Sequence, residues 1–301
     1  MQRAVPHSSD YCYLASNILD MDGERSLATG PQEARLLTEL ERLGIAILAL
    51  PRAPSFLPNI SDGHFRKLLH RLRTKGWLLP IEHGKYLVVP RAARGTWGEH
   101  PFVVAAGIAP GDYYISFWSA LSHHRLTEQV PRIVYVSLRG GRKKEVRFQD
   151  WRYRFVTLSA AKVYGHAPTE FTALNGAARV DVEIAEPEKA ILDSLDEERH
   201  AGGFPEIVKA LQRGFGLKIL SGERLIDYAL RYPNAAAVAR LGYLLQQLDR
   251  PEASALLPVA GRLKHPVFLS LRAPRENARL DRQWRVSANV SDAVFEPAAV
   301  V

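Results

Sequence analysis

Apolar positions along this chain fall into a series of short periodic runs. The clearest is Phe65, Leu68, Leu69 and Leu72, spaced i, i+3, i+4, i+7, which predicts one buried face of a helix over residues 61–75. Ser61 or Asp62 can cap its start, and Gly76 supplies the left-handed residue that ends it. Two apolar runs follow, Trp77 to Ile81 and Lys85 to Val89, joined by a short connection containing His83-Gly84. That pattern predicts a two-stranded hairpin. Upstream, Leu36, Leu37, Leu40 and Leu43 give a helix from Pro31 to Leu43, with proline at the first helical position. Ile45 to Leu50 is a short apolar run, strand or helix by periodicity alone. Arg52 to Asn59 contains two prolines and is expected to be largely a turn.

The pattern changes after residue 91. Residues 93–100 read as a linker. Beyond it come a helix at 101–109, an extended stretch at 113–116 and a helix at 117–124. Strands are expected at 133–138, 145–148, 152–158 and 180–184, then a helix from Glu188 to Glu197 with Ala190, Ile191, Leu192 and Leu195 as its apolar positions. Helices are expected again at 206–213, 221–231 and 235–248, a further one at 252–261, and strands at 266–271 and 283–290. The fold class expected is α+β. A polar N-terminal segment (1–30) precedes a winged helix-turn-helix (31–92), the linker, a larger mixed α/β domain (101–270) and a C-terminal extension (271–301).

Charge sharpens this division. The formal net charge is +8 over 301 residues, and its placement is uneven. Residues 52–95 carry nine Lys/Arg against Asp62 and Glu82, residues 132–154 eight against Glu145 and Asp150, and residues 181–199 eight Asp/Glu against Lys189 and Arg199. A basic amphipathic helix followed at once by a hairpin is the arrangement of a recognition helix and wing: the apolar stripe docks inward and the cations meet a duplex. On this reading His64, Arg66, Lys67, His70, Arg71, Arg73 and Lys75 face the major groove. His83 and Lys85 act from the hairpin, and Arg52, Arg91 and Arg94 contact the backbone. The same residues are equally what a solvated helix face would carry. The basic loop Arg139, Arg142, Lys143 and Lys144 has three readings: a solvated tip, a further phosphate contact, or a surface for an acidic partner.

Composition excludes some classes. Hydrophobic residues make up 47% and charged residues 24%, as in ordinary globular domains. The single cysteine, Cys12, excludes an intrachain disulfide, and no Cys/His set has zinc-ligand spacing. No apolar run reaches membrane-spanning length and no signal peptide is evident, so a cytoplasmic protein is expected.

Three stretches further along carry a family resemblance: Tyr113 to Pro131, with its Ser119-Ala120-Leu121 step; Val180 to Glu197, with Glu186-Pro187-Glu188-Lys189 and Leu192-Asp193; and Ala239 to Leu248. In that order, behind a winged helix, they resemble the AbiEi family of antitoxins and transcriptional regulators, over residues 31–250. Lys189 stands where that pattern more often has Arg. The tail beyond Pro266 matches no motif. The resemblance implies a repressor that binds inverted repeats in its own promoter, needs no cofactor, and opposes a cognate toxin of nucleotidyltransferase type.

Two competing classes remain, a nucleotidyltransferase-like enzyme and an interaction module without DNA binding. Asp181, Glu183, Glu186, Glu188 and Asp193 are candidate paired carboxylates for metal or acid/base work, although a solvated strand face and a helix start whose Glu188 complements the dipole account for them more simply. Ser119 or Ser122 with His123-His124 is a candidate nucleophile and base, but no Gly-x-Ser-x-Gly accompanies them. No catalytic residues and no metal ligands are assigned.

Overall fold

The computed structural model describes residues 28–50, 57, 60–93, 97–141, 143 and 145–296. The protein is α+β, and its described strands form three sheets. By contacts it divides into two compact units. The first comprises the described residues of Met1–Ala109, Val146–Tyr153 and Thr169–Val182; the second comprises those of Pro110–Glu145, Arg154–Pro168 and Glu183–Val301.

The first unit opens with α1 (Pro31–Arg42) and β1 (Ile47–Ala49). Then come α2 (Asp62–Thr74), β2 (Leu78–Glu82), β3 (Lys85–Val88) and α3 (Pro101–Ile108). The apolar run left open between strand and helix is a strand. It pairs antiparallel with β3, Ile47 opposite Leu87, and gives the order β1-β3-β2. Leu36, Leu37, Leu40, Phe65, Leu68, Leu69, Leu72, Leu78 and Leu87 form one buried core. The α1 and α2 stripes are thus the inner surface of this unit, except that Leu43, expected in the α1 stripe, is the helix C-cap and is exposed. Gly84 turns the hairpin at φ +72°, a conformation that a side chain would strain. A Cβ on Gly107 of α3 would lie 2.4 Å from Ile47 Cγ1, so α3 runs hard against β1 and belongs to this unit. The contact boundary accordingly falls after Ala109, beyond the 93–100 stretch read as a linker.

The second unit is built from β4 (Tyr113–Ile115), α4 (Phe117–His123), β5 (Ile133–Arg139), much of β7 (Trp151–Leu158) and the last three residues of β9 (Ala178–Ala185). β4 pairs antiparallel with β5 and parallel with β9. With β6 (Glu145–Phe148) and β8 (His166–Ala173) these strands make a six-stranded sheet in the order β6-β7-β5-β4-β9-β8. The helical part is α5 (Pro187–Asp196), α6 (Phe204–Gly216), α7 (Gly222–Arg231) and α8 (Ala235–Gln247). The helix expected at 252–261 is a 3₁₀ stretch, Pro251–Leu256, running into the single turn α9 (Leu257–Ala260). The tail is part of this unit rather than an appendage: β12 (Val286–Ala288) pairs with β10 (Val267–Phe268) and β11 (Arg279–Asp281). Trp284 is buried against Gly242 of α8, where a Cβ would lie 2.0 Å from its ring. Among the described residues no helix is long and apolar enough to cross a membrane.

Candidate nucleic-acid interface

The α2 helix is set by its own sequence. The Ser61 hydroxyl accepts from the His64 backbone N–H at 3.3 Å, and Gly76 at φ +74° stops the helix after the Lys75 cap. With Phe65, Leu68, Leu69 and Leu72 buried, the other positions are forced outward. Arg66, His70 and Arg73 lie at i, i+4 and i+7, with Lys67 beside Arg66, and all four are exposed. Among the described residues Arg66, Lys67 and His70 have no hydrogen-bond or ion-pair partner. The Arg73 guanidinium lies 5.8 Å from the Tyr86 ring centre on β3.

The other expected contacts divide differently. Arg71 and Lys75 turn toward α1, where both meet Glu33, at 3.0 Å and 2.6 Å. Lys75 also donates to the Ala28 carbonyl at 3.0 Å. Glu33 is only 3% exposed, and it additionally accepts the Gly30 N–H at 2.9 Å. Burial pushes its pKa up, but the Lys75 and Gly30 hydrogen bonds and the charges of Lys75 and Arg71 outweigh that and hold it below the usual carboxylate range. His64 Nε2 lies 2.9 Å from Gln32 Oε1. Lys85 donates to the Ile108 carbonyl at 2.9 Å and lies 3.4 Å from Glu82. Arg91 is tied to Glu41 by its backbone N–H at 2.7 Å and its Nε at 3.2 Å. His83 is exposed at the hairpin turn. Arg52 and Arg94 lie outside the described residues, as do Arg142 and Lys144. Of the basic loop, Arg139 is 3.5 Å from Asp112, and Lys143 sits 4.7 Å over the Phe155 ring.

Glu33, Gln32 and Tyr86 are absent from the sequence reading, yet they decide which cations of α2 stay free. Glu33 had a visible signal. It is the third residue of α1, where a carboxylate reaches back to the cap N–H. Its bonds across to α2 leave no trace in local pattern.

The candidate chemistry in the second unit resolves into structural roles. The expected solvated start of α5 is corrected: Glu188, Lys189, Asp193 and Asp196 are all buried. Lys189 donates to the Tyr114 hydroxyl at 3.0 Å and to Asp193, and lies 5.2 to 5.4 Å from the Tyr114, Tyr164 and Tyr232 ring centres. Tyr114 donates to Asp193 at 3.0 Å, while the Tyr232 hydroxyl is shared between Asp193 and Asp196 at 3.1 Å and 3.0 Å. Burial pulls the Lys189 pKa down against the opposing pull of Asp193. A helix in water would leave this pair outside. Here neighbouring elements cover every side of α5, so the pair must be satisfied from within.

Of the remaining carboxylates, Glu186 and Glu188 share Arg224, at 3.2 and 3.9 Å. Glu183 pairs with His166 at 2.7 Å, Glu186 with Tyr228 and Arg224, and Glu188 accepts the Ser221 N–H at 2.7 Å. Among the described residues no group of three His, Cys, Asp or Glu side chains is placed to hold a metal ion. Ser119 Oγ is taken up by β5, donating to the Ile133 carbonyl and accepting the Tyr135 N–H. His124 Nε2 lies 2.7 Å from the Ala185 carbonyl.

No known protein family and no curated protein matches the chain. The structure is similar to the crystal structure of the RV2827C protein from Mycobacterium tuberculosis, with a TM-score of 0.58 and 16% identity, over 86% of this chain and 92% of that one. At that identity the likeness concerns the fold alone.

Proposed function

We propose that the protein is a sequence-specific DNA-binding repressor whose first unit acts as a winged helix. In this reading α2 enters the major groove and the β2–β3 hairpin serves as the wing. The observation that carries it is the outer face of α2. Arg66, Lys67 and His70 project from a helix backed by buried Phe65, Leu68, Leu69 and Leu72, with no internal partner among the described residues, and Arg73 continues the row. The order helix, strand, helix, hairpin, with β1 against β3, supports this reading. A winged helix places a further helix before α2, in the 52–59 segment expected to be largely a turn, of which only Leu57 is described. Arg71 and Lys75 then serve mainly to set α2 on α1, and Arg66, Lys67, His70 and Arg73 are the groove-facing set.

The AbiEi-like stretches of the second unit extend the proposal. The repressor autoregulates its operon through an inverted repeat and acts as the antitoxin of a nucleotidyltransferase-type toxin in the cytoplasm, without catalysis of its own. The DNA part is tested by gel shift on the protein's own upstream sequence at several salt concentrations. Arg66→Ala and Lys67→Ala should each weaken binding and reduce the slope of log affinity against log salt by about one. Unchanged affinity and slope in the double variant would exclude α2 as the reading helix. The antitoxin part is tested by co-expression with the product of the adjacent open reading frame, where failure to relieve its toxicity counts against it.

A further inference from the structure

A cavity of about 440 Å³ opens in the second unit between the C-terminal half of β7 and the 3₁₀ turn Glu198–His200. Its polar lining includes Arg154, Ser159, Lys162, Arg199 and His200, opposed by the single carboxylate of Glu197. Each cation is paired with one carboxylate, and Arg154 also hydrogen-bonds Tyr135. Arg154 meets Glu145 at 3.0 Å, Arg199 meets Glu197 at 3.0 Å, and Lys162 pairs with Asp196. A guanidinium carries five N–H donors, so one carboxylate apiece leaves donors over on both arginines.

His200 is the second, independent observation. It is 7% exposed, packed on Phe117 and Tyr135 with ring centres 5.2 and 5.0 Å apart, and its Nδ1 is buried without a hydrogen-bond partner. Native structures rarely leave such an atom unpaired unless something else completes it. Burial, with the nearby charges of Arg199 and Arg154, lowers its pKa to about 4. The ring is therefore neutral at neutral pH beside three cations, each paired with one carboxylate.

We infer that this cavity binds the phosphoryl group of a small phosphomonoester of nucleoside-monophosphate size. Two guanidinium forks, an ammonium, a hydroxyl and an imidazole make a donor set suited to a tetrahedral oxyanion. The volume exceeds what a phosphate alone fills and lies in the range of small-ligand sites, with Phe155, Val156 and Leu158 offering apolar walls for the rest of the molecule. The inference uses the second unit alone and stands apart from the DNA reading of the first.

The test is an NMR titration of the full-length protein with inorganic phosphate, adenosine monophosphate and adenosine, following the His200 ring signal. His200→Phe, which keeps the ring packing, identifies that signal by its loss. Phosphate and adenosine monophosphate are both expected to shift it saturably, and adenosine is not. Tighter binding of the nucleotide than of phosphate marks the apolar walls as part of the site, and equal binding confines recognition to the phosphoryl group. Arg199 is exposed, so Arg199→Glu leaves the fold intact and should weaken binding by about tenfold or more. No saturable shift with either anion, an equal shift with adenosine, or unchanged affinity in Arg199→Glu would overturn the inference.

Discussion

The helices α2 and α5 are both rich in charge and treat it in opposite ways. On α2 the charges are what remain outside once four apolar residues have been buried, and three of them meet nothing described. On α5 the charges are inside, and Lys189 and Asp193 are the centre of a ring of tyrosines. An exposed cation costs the fold little and is free for a partner. A buried ion pair is committed to the fold, because losing either member strands the other in a low-dielectric interior. The contrast leaves α2 with an exposed cationic face, which the proposed function uses, and commits the charges of α5 to the fold.

Substitutions can break or sharpen that contrast. The largest effect is expected from Asp193→Ala, which leaves the Lys189 ammonium buried with only the Tyr114 hydroxyl. It should destabilise by about 3–5 kcal/mol in urea unfolding. The double variant Lys189→Met with Asp193→Leu should lose less than Asp193→Ala alone, and an equal or greater loss would mean the pair is not acting as a unit. On α2 the comparable cost lies on the opposite face: Leu68→Ala should lose about 2–5 kcal/mol by the same measurement.

A smaller effect is expected at Glu33, which joins α1 to α2. Glu33→Gln removes the charge facing Lys75 and Arg71 and should cost about 1–3 kcal/mol at neutral pH. The folded-state pKa of Glu33 is depressed, so its contribution is complete above the ordinary carboxylate range and is lost as pH falls through the lowered value. The stabilities of Glu33→Gln and the parent protein should therefore converge in acid, and a pH-independent gap would refute the assignment. The smallest effect is expected for Arg66→Ala, Lys67→Ala and His70→Ala, each within about 0.5 kcal/mol of the parent stability. A large loss from any of them would show that the outer face of α2 supports the fold.

What could be read beforehand follows the same line. Faces defined by spacing within one element were legible: the leucines of α2 and all but Leu43 of α1, the Gly84 hairpin, and the strand over 152–158 within β7. β8 was not. It is an edge strand, exposed or half-buried until Ala173, and it carries Pro168, which normally argues against a strand. The burial of Lys189 and Asp193 was hidden for another reason. An i, i+4 Lys–Asp pair has the same local pattern on a surface helix as in a core, and only Tyr114 and Tyr232, far away in sequence, distinguish the two. The three-way grip on Glu33 was likewise invisible, because two of its donors come from α2.

The amine of Lys85 reaches away from the hairpin turn to the carbonyl of Ile108, the last residue of α3, where the helix presents its negative end. A two-stranded loop of this kind would ordinarily sample many shapes and have to surrender them on docking. With the residue beside its turn moored to a helix terminus and a third strand along its flank, much of that surrender has already happened during folding. Whatever touches the His83-Gly84 tip meets a stiff lever, and the entropy of arranging it is not subtracted from the affinity of the encounter.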